Sequence, residues 1–355
     1  TAARSPRICS LRADSIVRRP PPYCPPISFV RRAGAHRDLH SFPTRRSSDL
    51  YGPPFVPLAA ASTVTTRLKL GTGIAIAAAR SPMDTAMAAL DLDRISEGRL
   101  ILGLGSSISS WTEDIFGTPP IKPVTHLRDT VAAIRHIEAG AHLGLQPYEG
   151  AYFNANFEAM IQQAPPCRAK IPIILGALRE KMVRLGAEIA DGITGHPMWS
   201  IDWTVNKMVP AFLEELAIHD RSRQDVMVSI WPWVAINDNK AQALEDARSS
   251  IAYYASAKQY ESFFAGNGHL EAALACQAGL EKNRDISSFK HNVSDAMVET
   301  FVAAGPVDEV AAKLEPLWSV ADHLCPTPPL WNLAPETVQA YAERIGHFVA
   351  AQTAP

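Results

Sequence analysis

Residues 68–105 read LKLGTGIAIAAARSPMDTAMAALDLDRISEGRLILGLG. The stretch alternates strand, helix, tight turn and strand, which is one and a half βα units of a parallel sheet. Both strand segments, LKLGTGIAIA and LILGLG, are continuously apolar rather than alternating. A strand needs that pattern when it is buried on both faces, as parallel strands covered by helices are. Each segment carries small residues toward its C-terminal end: Gly71 and Gly73 in one, Gly103, Gly105, Ser106 and Ser107 in the other. Small residues there let a flat ligand approach the backbone. The block therefore predicts a ligand site at the C-terminal rim of a parallel barrel or sheet.

The same alternation continues outward. The pattern predicts helix 53–65, strand 68–77, helix 82–95, strand 99–105, a loop over 106–122 and helix 123–141. Residues 142–170 are irregular, and Tyr148, Tyr152, Phe153 and Phe157 suggest a short hairpin packed over the barrel. Then come strand 171–176, helix 179–190, strand 192–196, helix 203–219, strand 226–237, long helices from Lys240 to about 300, helix 306–319, strand 322–325 and helix 335–351. That makes six strands with helices between them. Two more would close a (β/α)8 TIM barrel.

The first fifty residues do not share this pattern. They hold ten Arg and three Asp with no Lys or Glu, a net +7, so the remaining residues carry −9 of the total −2. No hydrophobic period is sustained there. Residues 36–50, ending in HSFPTRRSSDL, resemble the in-frame translation of a sequencing adapter. The expectation is a non-native or disordered segment over 1–50, a single domain over 51–355, and a barrel without its first two strands.

Composition excludes several function classes. No apolar run reaches the ~18 residues of a membrane span. The five cysteines form neither a CxxC pair nor a metal-ligand spacing, so they read as reduced thiols of a cytoplasmic protein without a metal. A charge of −9 on the ordered part argues against nucleic acid as a partner. A small-molecule substrate remains, and a homodimer is left open.

Candidate site residues follow from the strand ends. Gly103-Leu104-Gly105 fails as a dinucleotide fingerprint, because Ile108 stands where the third glycine belongs. Ser106 and Ser107 are hydroxyl donors in a turn that is equally well an ordinary tight turn. Gly176, Ala177, Leu178 and Arg179 lead into a helix whose N-terminus is a seat for phosphate. His196 closes strand 192–196 and is either a ligand contact or a packed histidine. Trp231 and Trp233 fall on one face of their strand, lining the mouth or capping the core. His269, with Tyr253, Tyr254, Tyr260, Phe263 and Phe264, is a candidate pocket wall, although aromatics at helical spacing more often mean core. Asp93, Arg94, Ser96 and Arg99 lie on the N-terminal side of a strand and read as a structural turn.

Taken in order, LGTGIAIA (70–77), ALDLDRISEGRLILGLG (89–105), EDIFG (113–117), IILGALREKMVRLGAEIADGITGHP (173–197) and AAGPVDEVAAKL (303–314) resemble the luciferase-like family of flavin- and deazaflavin-dependent oxidoreductases. The resemblance spans 51 to about 350. It implies a TIM barrel of the luciferase-like type and hydride transfer between reduced coenzyme F420 and an organic substrate. An FMN-dependent monooxygenase and a non-catalytic flavin-binding protein are the alternatives. It also implies a non-prolyl cis peptide at Gly73-Ile74 behind the ring, a close approach of the Gly105 turn to the cofactor, and phosphate at 176–179. The hydroxyl residue common in that last loop is absent here, where Ala177 and Leu178 stand.

Overall fold

The computed structural model describes residues 52–352 together with 27–29 and 40–42. In chain order the elements are β1 (Ile27–Phe29), β2 (His40–Phe42), α1 (Phe55–Ser62), β3 (Leu70–Gly71), β4 (Ala75–Ile76), α2 (Pro82–Ile95), β5 (Leu100–Gly105), α3 (Ser109–Thr112) and α4 (Pro123–Gly140). A hairpin β6 (Tyr148–Glu149) and β7 (Asn154–Ala155) follows, then β8 (Ile173–Ala177), α5 (Glu180–Ile189), β9 (Gly192–Gly195), α6 (Ile201–Trp203) and α7 (Val209–Ile218). The last third holds β10 (Met227–Ile230), β11 (Trp233–Ile236), α8 (Lys240–Ala255), α9 (Glu261–Gly266), α10 (Leu270–Lys282), α11 (Asp295–Phe301), β12 (Val302–Gly305), α12 (Val307–Leu314), β13 (His323–Leu324) and α13 (Pro335–Gln352).

The main sheet is parallel throughout and ordered β13-β10-β9-β8-β5-β3, with β4 also on β5. Strand order follows chain order without reversal. An open doubly wound sheet reverses at a switch point, whereas a barrel does not. The result is a mixed α/β fold whose curled parallel sheet forms half a barrel. Among the described residues, no helix is long and apolar enough to cross a membrane. The expectation of a non-native segment over 1–50 falls outside the described residues, apart from β1 and β2, which pair antiparallel with each other.

Side-chain alternation divides the two faces of the sheet. Leu102 and Ile173 line a small cavity together with Ala86, Ala89 and Leu90 of α2 and Ile134 of α4. Ile193 fits so closely against α5 that a Cβ on Gly186 would lie 2.3 Å from its Cγ2. These residues mark the helix side. Period-two alternation then turns Gly103, Gly105, Gly176 and Thr194 to the concave side.

Several expectations need correction. The strand drawn over 226–237 is two strands. Pro232 has no N–H to give the ladder, and the chain changes partner there: β10 stays between β9 and β13, while β11 pairs in parallel with β12. Strand β12 itself was absent from the sequence reading, which placed 302–305 between two helices. Its VAAG has no β-branched run and directly follows α11. The aromatic hairpin exists, packed against the core and tied to α4. Buried Asp129 accepts hydrogen bonds from the Tyr148 hydroxyl at 2.7 Å and from the amides of Tyr152 and Phe153 at 2.7 and 2.8 Å. Burial first, and this carboxylate second, push the Tyr148 phenol up to about 12.

The strand drawn over 68–77 is also interrupted. Leu70 and Gly71 pair with Leu100 and Ile101, but Ala75 and Ile76 pair with Leu104 and Gly105. One extra residue is therefore accommodated between them, as in a bulge. Thr72 carries the break: its hydroxyl donates to the Gly103 carbonyl at 2.7 Å and accepts the Gly103 N–H at 2.8 Å. Replacing Thr72 with Val leaves both buried backbone groups without their partner. The expected cost is about 1–3 kcal/mol for each group, read by urea unfolding, with Thr72→Ser close to wild type.

Candidate functional site

The interruption delivers residues 73 and 74 to the C-terminal ends of the neighbouring strands. The Gly73-Ile74 peptide is cis. The Ile74 side chain lies over two glycines: a Cβ on Gly105 would sit 1.8 Å from Ile74 Cδ1, and one on Gly176 would sit 3.2 Å from Ile74 Cγ2. On the other side of the bend, a Cβ on Gly73 would sit 2.6 Å from the Trp231 ring. Gly73, Ile74, Gly105, Gly176 and Trp231 thus form one cradle. The Trp231 indole nitrogen is buried there with no hydrogen-bond partner.

Two further residues join the rim. His196 directly follows β9, and its amide donates to the Ala177 carbonyl at 3.2 Å. Its ring packs against Tyr260, with centroids 5.3 Å apart, and against the edge of Tyr254 at 5.6 Å. Leu178 carries the Trp199 indole on its carbonyl at 2.9 Å. Ser106 donates to the Ser107 carbonyl at 3.2 Å, and Ser107 holds φ +58°, so this pair makes the turn after β5.

The start of α5 has no side-chain cap, and Arg179 occupies its N-cap position. The amides of Met182 and Val183 both reach the Arg179 carbonyl. The Arg179 guanidinium does not fold over the helix end; it donates to the Gln259 carbonyl at 2.8 Å. Glu180, the acidic residue of the first turn, is drawn along the helix by Arg184, which also meets Glu214 and Glu215. That ion cluster raises the Arg184 guanidinium above its ordinary value, Glu180 contributing most.

Two expected site residues are elsewhere. Trp233 is fully buried and belongs to the core, because the break at Pro232 places it in β11, while Trp231 stands just past the end of β10. His269 hydrogen-bonds Thr300 at 2.9 Å and packs beside Phe301, and burial lowers its pKa. It belongs to the α9–α10–α11 packing, as do Phe263 and Phe264. Asp93, Ser96 and Arg99 make the structural turn expected of them. Asp93 takes two bonds from Arg168, at 2.7 and 3.0 Å, and Arg99 binds the carbonyls of Ser62, Leu68 and Ser96.

The sequence reading missed Thr72 as the clamp of the cradle. It also missed Thr194 and Ser229, paired in register on β9 and β10, whose buried hydroxyls have no partner. A hydroxyl inside an otherwise apolar parallel strand was the available signal.

Residues 39–320 match the family described as luciferase-like monooxygenase. An uncharacterized protein of Mycobacterium tuberculosis is 35% identical over 74% of this chain and 78% of its own length. Another protein of that organism, named as a candidate coenzyme F420-dependent oxidoreductase, is 32% identical over 65% of this chain and 68% of its own. Among solved structures, the coenzyme F420 dependent tetrahydromethanopterin reductase of Methanopyrus kandleri superposes with TM-score 0.67 at 23% identity, covering 83% of this chain and 87% of that one. The chain belongs to the luciferase-like monooxygenase family, on a luciferase-like TIM-barrel fold. It is accordingly an oxidoreductase scaffold of a family that depends on flavin or deazaflavin.

The cradle supplies a test. Ala at position 105 collides with Ile74 Cδ1. The Gly105→Ala protein is expected to lose about 1–3 kcal/mol of stability. Adding Ile74→Val removes the colliding atom. A double-mutant cycle in thermal unfolding should then show recovery of most of the lost stability.

Proposed function

We propose that this chain is a coenzyme F420-dependent oxidoreductase acting on a small organic substrate. The observation that carries the reading is the cradle. The Ile74 side chain covers Gly105 and Gly176 and the Trp231 ring covers Gly73, which makes an apolar surface at the strand ends with a buried indole N–H in need of an acceptor. A flat heterocycle with polar edges fits that chemistry. The deazaflavin ring supplies hydride chemistry when bound. The residues of the chain do the rest. Ile74 and the glycines hold a ring face and exclude water. Trp231 offers a donor. The uncapped start of α5 offers amides and a partial positive charge to a phosphate, with the Glu180 carboxylate held aside by Arg184.

The relatives named for F420 favour the deazaflavin branch over FMN. An FMN-dependent monooxygenase is the second reading, supported by the likeness in fold to a Baeyer–Villiger monooxygenase solved with FMN, TM-score 0.57. A reducing, cytoplasmic setting is part of this reading, in keeping with the buried Cys276 thiol.

Fluorescence titration of F420 and FMN decides between the branches. F420 is expected to bind at least tenfold more tightly, and the reverse order moves the chain to the monooxygenase branch. Arg179→Ala is expected to weaken F420 about three- to tenfold, because Arg179 sits at the N-cap and tethers Gln259. Unchanged affinity would place the phosphate away from this helix start.

A further inference from the structure

His196 and Tyr260 are joined in a way that fixes which of them has a proton to give. The His196 Nδ1 accepts the backbone N–H of Met198 at 3.1 Å. A backbone amide can only donate, so Nδ1 carries no hydrogen and the neutral ring is the Nε2–H tautomer. Nε2 faces the Tyr260 hydroxyl at 3.4 Å. Nε2–H therefore donates to the phenol oxygen, and the phenol's own hydrogen points elsewhere. Among the described residues no protein group accepts it.

The phenol is held in place. Its ring meets Tyr254 edge-on, at 4.9 Å and 87°, and is 9% exposed. The short helical turn that bears it, Lys258–Tyr260, is tethered one residue earlier by Arg179. That turn is thus pinned to the ends of two barrel strands, β8 through Arg179 and β9 through His196. Burial, together with the nearby Tyr254 and Tyr253, raises the Tyr260 pKa. The group stays protonated and cannot serve as a base.

We infer that Tyr260 is the hydrogen-bond and proton donor to a carbonyl oxygen of the substrate, and that His196 is its positioning residue. This rests on the F420 reading above. The bound deazaflavin would supply the hydride that the carbonyl carbon takes up. The Tyr260 O–H bond breaks as the substrate O–H bond forms. The phenolate left behind is stabilised by the His196 Nε2–H and takes its proton back from water. The substrate class is then a ketone or aldehyde, reduced to the alcohol.

Two measurements test it. Long-range 1H–15N NMR of the protein reads the His196 tautomer without any cofactor: Nε2–H is expected, and Nδ1–H overturns the inference. Turnover of reduced F420 with cyclohexanone and benzaldehyde reads the donor. Tyr260→Phe is expected to bind F420 within twofold of wild type and to melt within a few degrees of it. Its kcat should fall at least 100-fold, with KM changed less than threefold. His196→Gln, whose amide N–H reaches toward the same oxygen, should keep more of the rate than His196→Ala. Tyr260→Phe with wild-type kcat overturns the inference and leaves the cofactor reading standing. Wild-type protein that binds no F420 overturns both.

Discussion

The hydroxyl of Thr72 governs the whole rim. In an uninterrupted strand, backbone groups of residues 72–74 would continue the ladder to β5. Here one side chain satisfies both the N–H and the C=O of Gly103, and the backbone is released to bend. Without that substitution, two buried polar groups would be orphaned at about 1–3 kcal/mol each. Gly103 must be glycine for the same reason: a Cβ there would lie 2.0 Å from the Thr72 carbonyl oxygen. The bend puts Ile74 over Gly105 and Gly176, and so draws three successive strand ends into one surface. Catalytic folds often keep irregular backbone where a ligand must come close. Here the irregularity is held by a single threonine between two glycine positions.

Much of the fold was legible because burial on two faces leaves a strong mark. The strands β5, β8 and β9 appear in the sequence as short apolar runs ending in glycine, and they lie within a residue or two of where those runs predict them. Position 103 looked like part of a turn motif, but its smallness serves strand-to-strand approach. The failures share a cause. Strand β12 is four residues of VAAG flanked by helices, so its local preference carries almost no β signal and pairing with β11 decides it. Trp233 obeyed the period-two rule only on the assumption that β10 and β11 were one strand. Pro232 broke that assumption, and the indole went to the core. His269 stood in a glycine-rich turn that resembled a pocket wall, yet its neighbours are set by how three helices pack far along the chain.

The two ends of the sheet divide the work. At the N-terminal ends, charge is concentrated and fully engaged. Asp93 is 2% exposed and takes the forked Arg168 guanidinium, while Arg99 ties together three carbonyls and the Thr65 hydroxyl. Breaking a buried ion pair is costly, so these residues fix where strand β5 begins. At the C-terminal ends the strands finish in glycine, alanine and isoleucine, and the nearby ion pairs are aimed outward. The Glu180–Arg184 pair illustrates this: its carboxylate would otherwise repel an anion from the start of α5.

That division also explains why the rim polar groups are few and neutral. An apolar surface strengthens each hydrogen bond made over it and penalises each one left unmade. The Trp231 indole is a donor that cannot accept or ionise. The Met198 amide leaves His196 with a single hydrogen to offer, at Nε2. Tyr260 is kept as a phenol by burial. Each group carries a hydrogen to donate, and donors set in apolar surroundings favour ligands with exposed oxygen or nitrogen acceptors. Under the proposed reading, the same arrangement would suit a planar heterocycle with acceptors along one edge and a substrate with a carbonyl oxygen.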